Sequence, residues 1–213
     1  GLEQPNILLT QFRALIAAAS GRPLSVMFPF IAQVAEFEAV KKLFDQELAY
    51  AESIGQVMPS EIKIGVMIEI PSLLWQLDQI MPKLDFVSIG SNDLMQFLFA
   101  CDRGTPHLAN QYDTLSPVML SVVSHIVKQA AEHGVEVGFC GDMARKPLDA
   151  LALIGVGVRS LSAPASSIGA LKAMIRSLTM AQVNEYIPYL MHTQEVSVRH
   201  VLAAYAKDHG IVV

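Results

Sequence analysis

The stretch that decides the fold is Phe86-Val-Ser-Ile-Gly-Ser-Asn-Asp-Leu-Met-Gln-Phe97. Its first half is an apolar run typical of a buried strand, and its second half has the apolar spacing of a helix. Ser91, Asn92 and Asp93 lie at the junction and belong to the residue types that cap a helix start. Because backbone N–H groups at a helix start favour a bound anion, this junction is suited to hold a phosphate, and Asp93 offers a cation ligand in the same turn.

A second predicted strand carries a carboxylate at its end, in Gly65-Val-Met-Ile-Glu-Ile-Pro71. An ionised Glu69 in this position must be solvated, paired with a basic residue or bound to a metal, and the residue alone does not decide between the last two. Asp93 alone is explained more simply by its place at a helix start. The two strand-end carboxylates together, beside a phosphate-binding turn, favour Mg²⁺-assisted chemistry on a phosphorylated small molecule.

Apolar strand-like runs alternate with helical patterns along most of the chain, which predicts a parallel sheet. The predicted strands cover residues 24–31, 63–70, 85–90, 135–140 and 158–162. The predicted helices cover residues 5–20, 34–54, 72–81, 93–101, 117–133 and 147–154, followed by one that ends at residue 178 and two within residues 179–213.

Five strands are too few for a closed (β/α)8 barrel, which needs eight strands and about 250 residues. The sequence therefore leaves two α/β architectures open: a TIM-type barrel that is incomplete at its N-terminal end, or an open doubly wound sheet. The barrel is favoured because barrel sites are built at the C-terminal ends of the strands. The polar residues at or just past predicted strand ends are Glu69, Asn92, Asp93 and Cys140.

Composition limits the classes of protein that the chain can belong to. Its 213 residues are 52% hydrophobic and 16% charged, which suits one domain over residues 1–213 with a large core. The net charge of -5 argues against a nucleic-acid partner. We expect no signal peptide and no membrane span, and a chain with only two cysteines, Cys101 and Cys140, fits the reducing cytoplasm.

Arg103 and Cys140 are two further candidates for chemistry. Arg103 follows the predicted helix that begins near Asp93, and its guanidinium could grip a phosphate or carboxylate in bidentate fashion. A surface pair with Asp102 is the simpler explanation for Arg103 alone. Cys140 closes a strand, where a buried structural cysteine is the commoner case, but a thiol at a barrel mouth could also donate a proton to an enolate carbon.

Four motifs, in this order and spacing, carry a resemblance to a known family. They are Gly65-Val-Met-Ile-Glu-Ile-Pro71, Ser88-Ile-Gly-Ser-Asn-Asp-Leu94, Asp102-Arg-Gly104 and Cys140-Gly141. They resemble the phosphoenolpyruvate-binding domain of enzyme I of the bacterial phosphotransferase system, especially its nitrogen-related paralogue. Pyruvate phosphate dikinase and phosphoenolpyruvate synthase share this barrel. Met27-Phe-Pro29 and Ser162-Ala163 fit as well.

The resemblance implies a (β/α)8 barrel that binds phosphoenolpyruvate through Mg²⁺. Glu69 and Asp93 match the metal ligands, and Asn92 with the Asp93 backbone matches the phosphate contacts. Arg103 matches an arginine on the substrate, and Cys140 matches the acid that protonates the enolate of pyruvate. The family passes the phosphoryl group to a histidine on a separate mobile domain and then to a histidine-containing carrier protein. It dimerises through this barrel, which implies a homodimer here.

Several departures from the family pattern bear on activity. None of the six histidines lies in the family's Gly/Thr-Ser-His phosphoacceptor motif. Two substrate arginines belong to early barrel strands, and Arg13 is not expected to stand in for them. We therefore expect the chain to be a fragment of a larger protein and to be inactive alone. The other departures are Asp142 for Glu, Met95 for Thr, Phe97 for Tyr, Ser25 for Arg, and Arg145-Lys146 for Gly-Asp.

Two alternatives to the phosphotransferase remain at this point. One is another Mg²⁺-enolate barrel, such as a lyase, which also uses strand-end Glu and Asp but need not depend on the Cys140 thiol. The other is a non-catalytic module for dimerisation or metabolite sensing, with the apolar C-terminal helices as the contact surface.

Overall fold

The computed structural model describes residues 5–102 and 112–213. These residues contain one five-stranded sheet in which every pair of neighbouring strands is parallel. Its strands are β1 (Leu24–Phe28), β2 (Ile62–Ile68), β3 (Phe86–Gly90), β4 (Glu136–Cys140) and β5 (Ser160–Leu161).

The strand order is β1-β2-β3-β4-β5, the same as the order in the chain. A doubly wound sheet reverses its strand order at a switch point, whereas successive β/α units of a barrel continue in one direction. The sequential order therefore selects the barrel type of the two predicted architectures. It also confirms that about five strands of such a barrel are present in the described residues.

The described helices are α1 (Pro5–Ala19), α2 (Val34–Ser53), α3 (Leu77–Ile80), α4 (Ser91–Leu98), α5 (Pro117–His133), α6 (Pro147–Gly155), α7 (Ile168–Ser177), α8 (Met180–Leu190) and α9 (Arg199–Asp208). Short 3₁₀ turns occupy Pro71–Gln76, Met81–Lys83, Asp142–Arg145 and Ala165–Ser167. Among these described helices, no segment is both long and apolar enough to cross a bilayer.

Prolines account for two of the errors in the predicted boundaries. The strand predicted over residues 24–31 ends at Phe28, because Pro29 has no N–H to donate to a ladder. The single helix predicted over residues 72–81 was wrong: the 3₁₀ turn Pro71–Gln76, the short α3 and the turn Met81–Lys83 replace it. Pro71 and Pro82 lie at the starts of these two 3₁₀ turns, and proline cannot supply the N–H that a continuous helix needs.

The helix predicted over residues 117–133 is found with those bounds. The Ser116 hydroxyl accepts a hydrogen bond from the Met119 N–H at its start, and Gly134 closes its end with a φ of 69°. The two helices predicted in residues 179–213 are α8 and α9.

The core lies on both faces of the sheet, as expected for parallel strands. Val66, Ile68 and Ile89 are fully buried in β2 and β3. On the β1 side, α1 and α2 pack a cluster of aromatic rings with centroids 5.2 to 6.4 Å apart: Phe12, Phe28, Phe37 and Phe44.

Arg13 on α1 binds the buried carboxylate of Glu47 on α2. Its Nε and Nη2 lie 2.6 and 2.9 Å from the two carboxylate oxygens. The pair ties these two helices together outside the sheet, which agrees with the expectation that Arg13 does not replace a substrate arginine.

A charged network attaches α9 to the rest of the fold. Arg199 donates to Asp113 at 2.6 and 2.8 Å and to Asp149, at the start of α6, at 2.8 Å. Asp149 has no exposed surface, and its second oxygen accepts a hydrogen bond from Thr114 at 2.8 Å. Burial alone would raise the pKa of Asp113, but hydrogen bonds from Arg199, the Leu115 N–H and Ser197 hold it well below its ordinary value.

Candidate active site

The candidate site lies at the C-terminal edge of the sheet, where four consecutive strands end. Parallel strands bring their C-terminal ends to one edge. The chain there continues as Phe30 after β1, Glu69 after β2, Ser91 to Asp93 after β3 and Cys140 to Asp142 at the end of β4.

Glu69 lies one residue beyond β2, and only 2% of its surface is exposed. Its Oε1 accepts a hydrogen bond of 2.8 Å from the backbone N–H of Phe30. Phe30 has a φ of 54°, which is uncommon for a residue other than glycine. The backbone after β1 is thus held in a left-handed conformation in which it orients the Glu69 carboxylate.

Because Gly90 has no side chain, the Glu69 carboxylate can lie close to the backbone at position 90. A Cβ atom at position 90 would lie 3.0 Å from Glu69 Oε2 and 2.9 Å from Met67 Sδ. The second carboxylate oxygen therefore rests against the bare backbone at the end of β3. This contact joins the ends of β2 and β3.

The helix cap predicted from Ser91, Asn92 and Asp93 was wrong. Strand β3 passes directly into α4, so Gly90 is the N-cap residue and no side chain caps the helix. The Ser91 hydroxyl instead donates to the Cys140 carbonyl at 2.9 Å, and Asn92 Oδ1 accepts from the Asp142 N–H at 3.0 Å. Both side chains bind the neighbouring strand end because the helix begins one residue earlier than a side-chain cap requires.

These bonds orient the groups at the start of α4. Asn92 uses its oxygen toward Asp142, which turns its NH₂ group away from that strand end. Asp93 lies in the first turn of α4, where a carboxylate is favoured by the helix dipole. Gly141 has a φ of 103°, and a Cβ there would collide with Ser91 Oγ and lie 2.9 Å from Asn92 Oδ1.

The Cys140 thiol lies between β3 and β4 and is half-buried. Its Sγ donates to the Ile89 carbonyl at 3.5 Å and accepts a hydrogen bond from the Ser88 hydroxyl at 3.6 Å. The thiol therefore donates to the backbone of β3, and a hydroxyl from the same strand faces the sulfur.

Of the predicted site residues, Glu69, Asn92, Asp93 and Cys140 all lie at this edge. Arg103 lies outside the described residues. Sequence reasoning assigned no role to Phe30 or Ser88, and for Ser91 it predicted only a helix cap. The two serines could have been found from their place in the Ser88-to-Leu94 motif, whereas no sequence signal marked Phe30.

The departures from the family pattern differ in their distance from this edge. The Asp142 carboxylate pairs with Arg145 at 2.9 Å, and both side chains are largely exposed. Met95 and Phe97 lie further along α4, and Ser25 lies near the opposite end of β1. Among residues 5–102 and 112–213, no group of three or more His, Cys, Asp or Glu is placed to hold a metal.

Comparison with known proteins gives the family. Residues 1–180 match a family model described as the PEP-binding domain of PEP-utilising enzymes, where PEP is phosphoenolpyruvate. The chain belongs to this family. This match confirms the resemblance to a PEP-binding domain that the four sequence motifs indicated.

The relatives of this PEP-binding domain are much longer proteins. A phosphoenolpyruvate-dependent phosphotransferase system protein of Escherichia coli is 33% identical over 99% of this chain and 28% of its own length. A phosphoenolpyruvate-protein phosphotransferase of Streptococcus equinus is 36% identical over 83% of this chain and 31% of its own. The chain therefore spans about a third or less of these relatives.

Solved structures support the barrel-type fold of the PEP-binding domain. A citrate lyase from Burkholderia xenovorans matches with a TM-score of 0.56 and 16% identity, over 96% of this chain and 70% of that one. An HpcH/HpaI aldolase/citrate lyase family protein from Burkholderia cenocepacia matches with a TM-score of 0.53 and 15% identity, over 84% and 70%. At such low identity the likeness concerns the fold alone.

Proposed function

We propose that this chain is the phosphoenolpyruvate- and Mg²⁺-binding domain of a phosphotransferase. The enzyme moves the phosphoryl group of phosphoenolpyruvate to a histidine on another domain and releases pyruvate. The observation that carries the proposal is the placement of two carboxylates, an uncapped helix start and a thiol on neighbouring strand ends at one edge of the sheet.

The donor set at this edge fits Mg²⁺. The ion prefers hard oxygen ligands and commonly takes one or two carboxylates, with water and substrate oxygens completing its shell. Glu69 and Asp93 would hold it, and the Gly90 backbone leaves the room that Glu69 Oε2 requires. When bound, the ion supplies positive charge that offsets the charge of the phosphate and carboxylate of phosphoenolpyruvate.

The start of α4 would bind the phosphate. Its first N–H groups have no side-chain cap, and a helix start favours an anion. The Asn92 NH₂ group adds a side-chain donor because the amide oxygen is held by Asp142. By resemblance, Arg103 contributes a further positive charge to the substrate.

Cys140 would complete the reaction by protonating the enolate. Transfer of the phosphoryl group breaks the P–O bond and leaves the electron pair on the enol oxygen as the enolate of pyruvate. The Cys140 thiol then donates its proton to the methylene carbon and becomes a thiolate. The Ser88 O–H, which already faces the sulfur, stabilises this thiolate until solvent returns a proton.

Calorimetric titration of phosphoenolpyruvate with Mg²⁺ into the 213-residue chain tests the proposal. We expect Glu69→Gln to weaken binding by at least about tenfold, because it removes the charge of a buried ligand and keeps its shape. Glu61→Gln is the matched control, since Glu61 is exposed and precedes the opposite end of β2. Equal binding by wild type and Glu69→Gln would overturn the assignment.

Phosphoryl transfer to a carrier protein needs a phosphoacceptor histidine, and no motif of this chain supplies one. Since none of its histidines lies in the family's phosphoacceptor motif, we propose that the chain alone does not phosphorylate a histidine-containing carrier protein. Transfer from phosphoenolpyruvate to the carrier by the purified 213-residue chain would contradict this. A lyase mechanism would be favoured instead if Cys140→Ala exchanged the methyl protons of pyruvate with D₂O as fast as wild type.

We also propose that residues 1–213 act as a single cytoplasmic domain and form a homodimer. An apolar groove of about 670 Å³ between the β2–α3 connection and α5 is a candidate contact surface. Trp75 stands at this groove with 79% of its surface exposed, and aromatic side chains of this size are enriched where one protein contacts another. The groove is lined in part by Leu74, Trp75, Leu77, Asp78, Val122 and His125.

A further inference from the structure

The loop between β1 and α2, residues 29–33, is fastened to the 3₁₀ turn that follows Glu69. The Ser72 hydroxyl of this turn donates a hydrogen bond of 2.9 Å to the Ala32 carbonyl. A second side chain of the turn, Gln76, donates from its NH₂ group to the same carbonyl at 3.4 Å. Two side chains that follow β2 therefore hold one backbone group that follows β1.

The end of this loop is held by further hydrogen bonds. Gln76 Oε1 accepts one of 3.1 Å from the N–H of Val34, the first residue of α2. The Glu36 carboxylate accepts from the N–H groups of Ala32 and Gln33 at 2.8 and 3.2 Å. The backbone over these three residues is thus bound to side chains at each N–H, which leaves it little freedom to change conformation.

Phe30, earlier in the same loop, has a backbone conformation that needs such support. Its φ of 54° is left-handed, which costs free energy for any residue that carries a side chain. Burial of the ring does not offset this cost, because 58% of the residue is exposed. A conformation of this kind persists only where the surrounding structure imposes it, and the contacts at Ala32 and Val34 supply that constraint.

The conformation of Phe30 determines where its N–H group points. This N–H donates to Glu69 Oε1 at 2.8 Å, and the Glu69 side chain is buried. A change of φ at Phe30 would rotate the peptide group that carries the N–H relative to the rest of the loop. The orientation of the carboxylate matters because Mg²⁺ demands near-ideal octahedral geometry from its ligands.

We propose that Ser72 and Gln76 are positioning residues for Glu69. By fixing the loop between β1 and α2 they hold the Phe30 N–H against Oε1, and so they fix the carboxylate that takes Mg²⁺. This inference rests on the proposed function, in which Glu69 is a metal ligand. The two residues act through the loop and not by contact with the substrate.

Hydrogen exchange of the Phe30 amide in the ligand-free chain, followed by NMR, tests the first step of the proposal. Ser72→Ala and Gln76→Ala should each raise the exchange rate about tenfold, because the freed loop lets the N–H leave Oε1. Ser72→Thr should exchange like wild type, since it keeps the hydroxyl. Gln79→Ala is the matched control, because Gln79 is exposed on α3. Unchanged exchange in both alanine variants would overturn the proposal.

Calorimetric titration of phosphoenolpyruvate with Mg²⁺ tests the second step, at a temperature at which circular dichroism shows every variant to be folded. Gln76→Ala should weaken binding about tenfold, which is the usual effect of removing a group that orients a metal ligand. Gln79→Ala should bind like wild type. Faster exchange at Phe30 with unchanged binding in Gln76→Ala would mean that these contacts are only structural and would overturn the positioning role.

Glu69→Gln in the same titration separates this inference from the proposed function. Weaker binding in Glu69→Gln, together with unchanged binding in Gln76→Ala, would overturn the positioning role alone. Equal binding by wild type and Glu69→Gln would overturn the proposed function, whatever the exchange rate at Phe30.

Discussion

At the scale of single residues, the site depends on close approach between strand ends. Gly90 matters because a Cβ there would lie only 3.0 Å from Glu69 Oε2, and Gly141 matters because a Cβ there would collide with Ser91 and crowd Asn92. Both contacts bring a side chain of one strand end against bare backbone of the next. The chemistry at this edge is therefore sensitive to the addition of one methyl group.

Gly90→Ala should displace the Glu69 carboxylate and weaken binding of phosphoenolpyruvate with Mg²⁺ by about tenfold or more, because a ligand moved from its position loses its contact with the ion. Calorimetry measures this change. Gly169→Ala is the matched control, since a Cβ at Gly169 on α7 meets nothing within 4 Å. Unaltered binding in Gly90→Ala would show that Glu69 does not need this space.

Ser88→Ala should slow protonation at Cys140 without weakening substrate binding, because the hydroxyl faces the sulfur and not the strand ends that hold the ligands. We expect exchange of the methyl protons of pyruvate with D₂O, with Mg²⁺ present, to fall about tenfold, which is the effect of one charge-assisted hydrogen bond. Cys140→Ala should abolish the exchange. Ser160→Ala serves as the control, because Ser160 on β5 is exposed. An exchange rate in Ser88→Ala equal to that of wild type would remove Ser88 from the mechanism.

At the scale of elements, strand pairing and charged contacts set how the helices and strands meet. Gly65 on β2 allows the Phe86 ring and carbonyl of β3 to approach so closely that a Cβ would lie 2.5 Å from the carbonyl oxygen. Arg199 joins α9 to α6 through the buried Asp149. Each contact holds two elements at a fixed distance.

Gly65→Ala should destabilise the fold by about 1–3 kcal/mol, since a backbone atom of β3 must move to admit the methyl group. Urea unfolding measures the loss. Gly138→Ala on the neighbouring β4 is the control, because its Cβ would make only ordinary contacts of 3.7 and 3.9 Å. Equal losses in the two variants would contradict the packing argument.

The Arg199 network should make stability depend on acid pH. The pKa of Asp113 is lower in the folded chain than its ordinary 3.8, so the unfolded state binds protons first as pH falls. The contribution of Asp113 is complete above about pH 4 and is lost progressively below it. The unfolding temperature measured from pH 7 to pH 2 should fall more steeply for wild type than for Asp113→Asn. Parallel curves would contradict the prediction.

At the scale of the whole molecule, several large apolar side chains are exposed on the surface of the described residues. Trp75, at the groove between the β2–α3 connection and α5, is the most exposed of the large apolar side chains in the described residues. Burial of such a surface is the common driving force for association. If the proposed homodimer forms through this groove, a charged substitution at Trp75 should disrupt it.

Trp75→Lys should convert the chain from dimer to monomer in sedimentation velocity, because a buried lysine without a partner is unfavourable at an apolar contact. Tyr189→Lys is a matched control on α8, where the side chain is also largely exposed. A wild-type chain that sediments as a monomer would contradict the homodimer. A Trp75→Lys variant that stays dimeric would place the interface elsewhere.

The sequence by itself determined the parallel β/α class, the buried strands, the family and the residue types at the strand ends. These follow from local properties: apolar periodicity, turn residues and the residues adjacent to each strand end. Only the tertiary structure decided the sequential strand order, the bond from Phe30 to Glu69, and the use of Ser91 and Asn92 to bind the next strand end instead of capping α4. These contacts join residues 39 to 50 positions apart, so no local pattern encodes them.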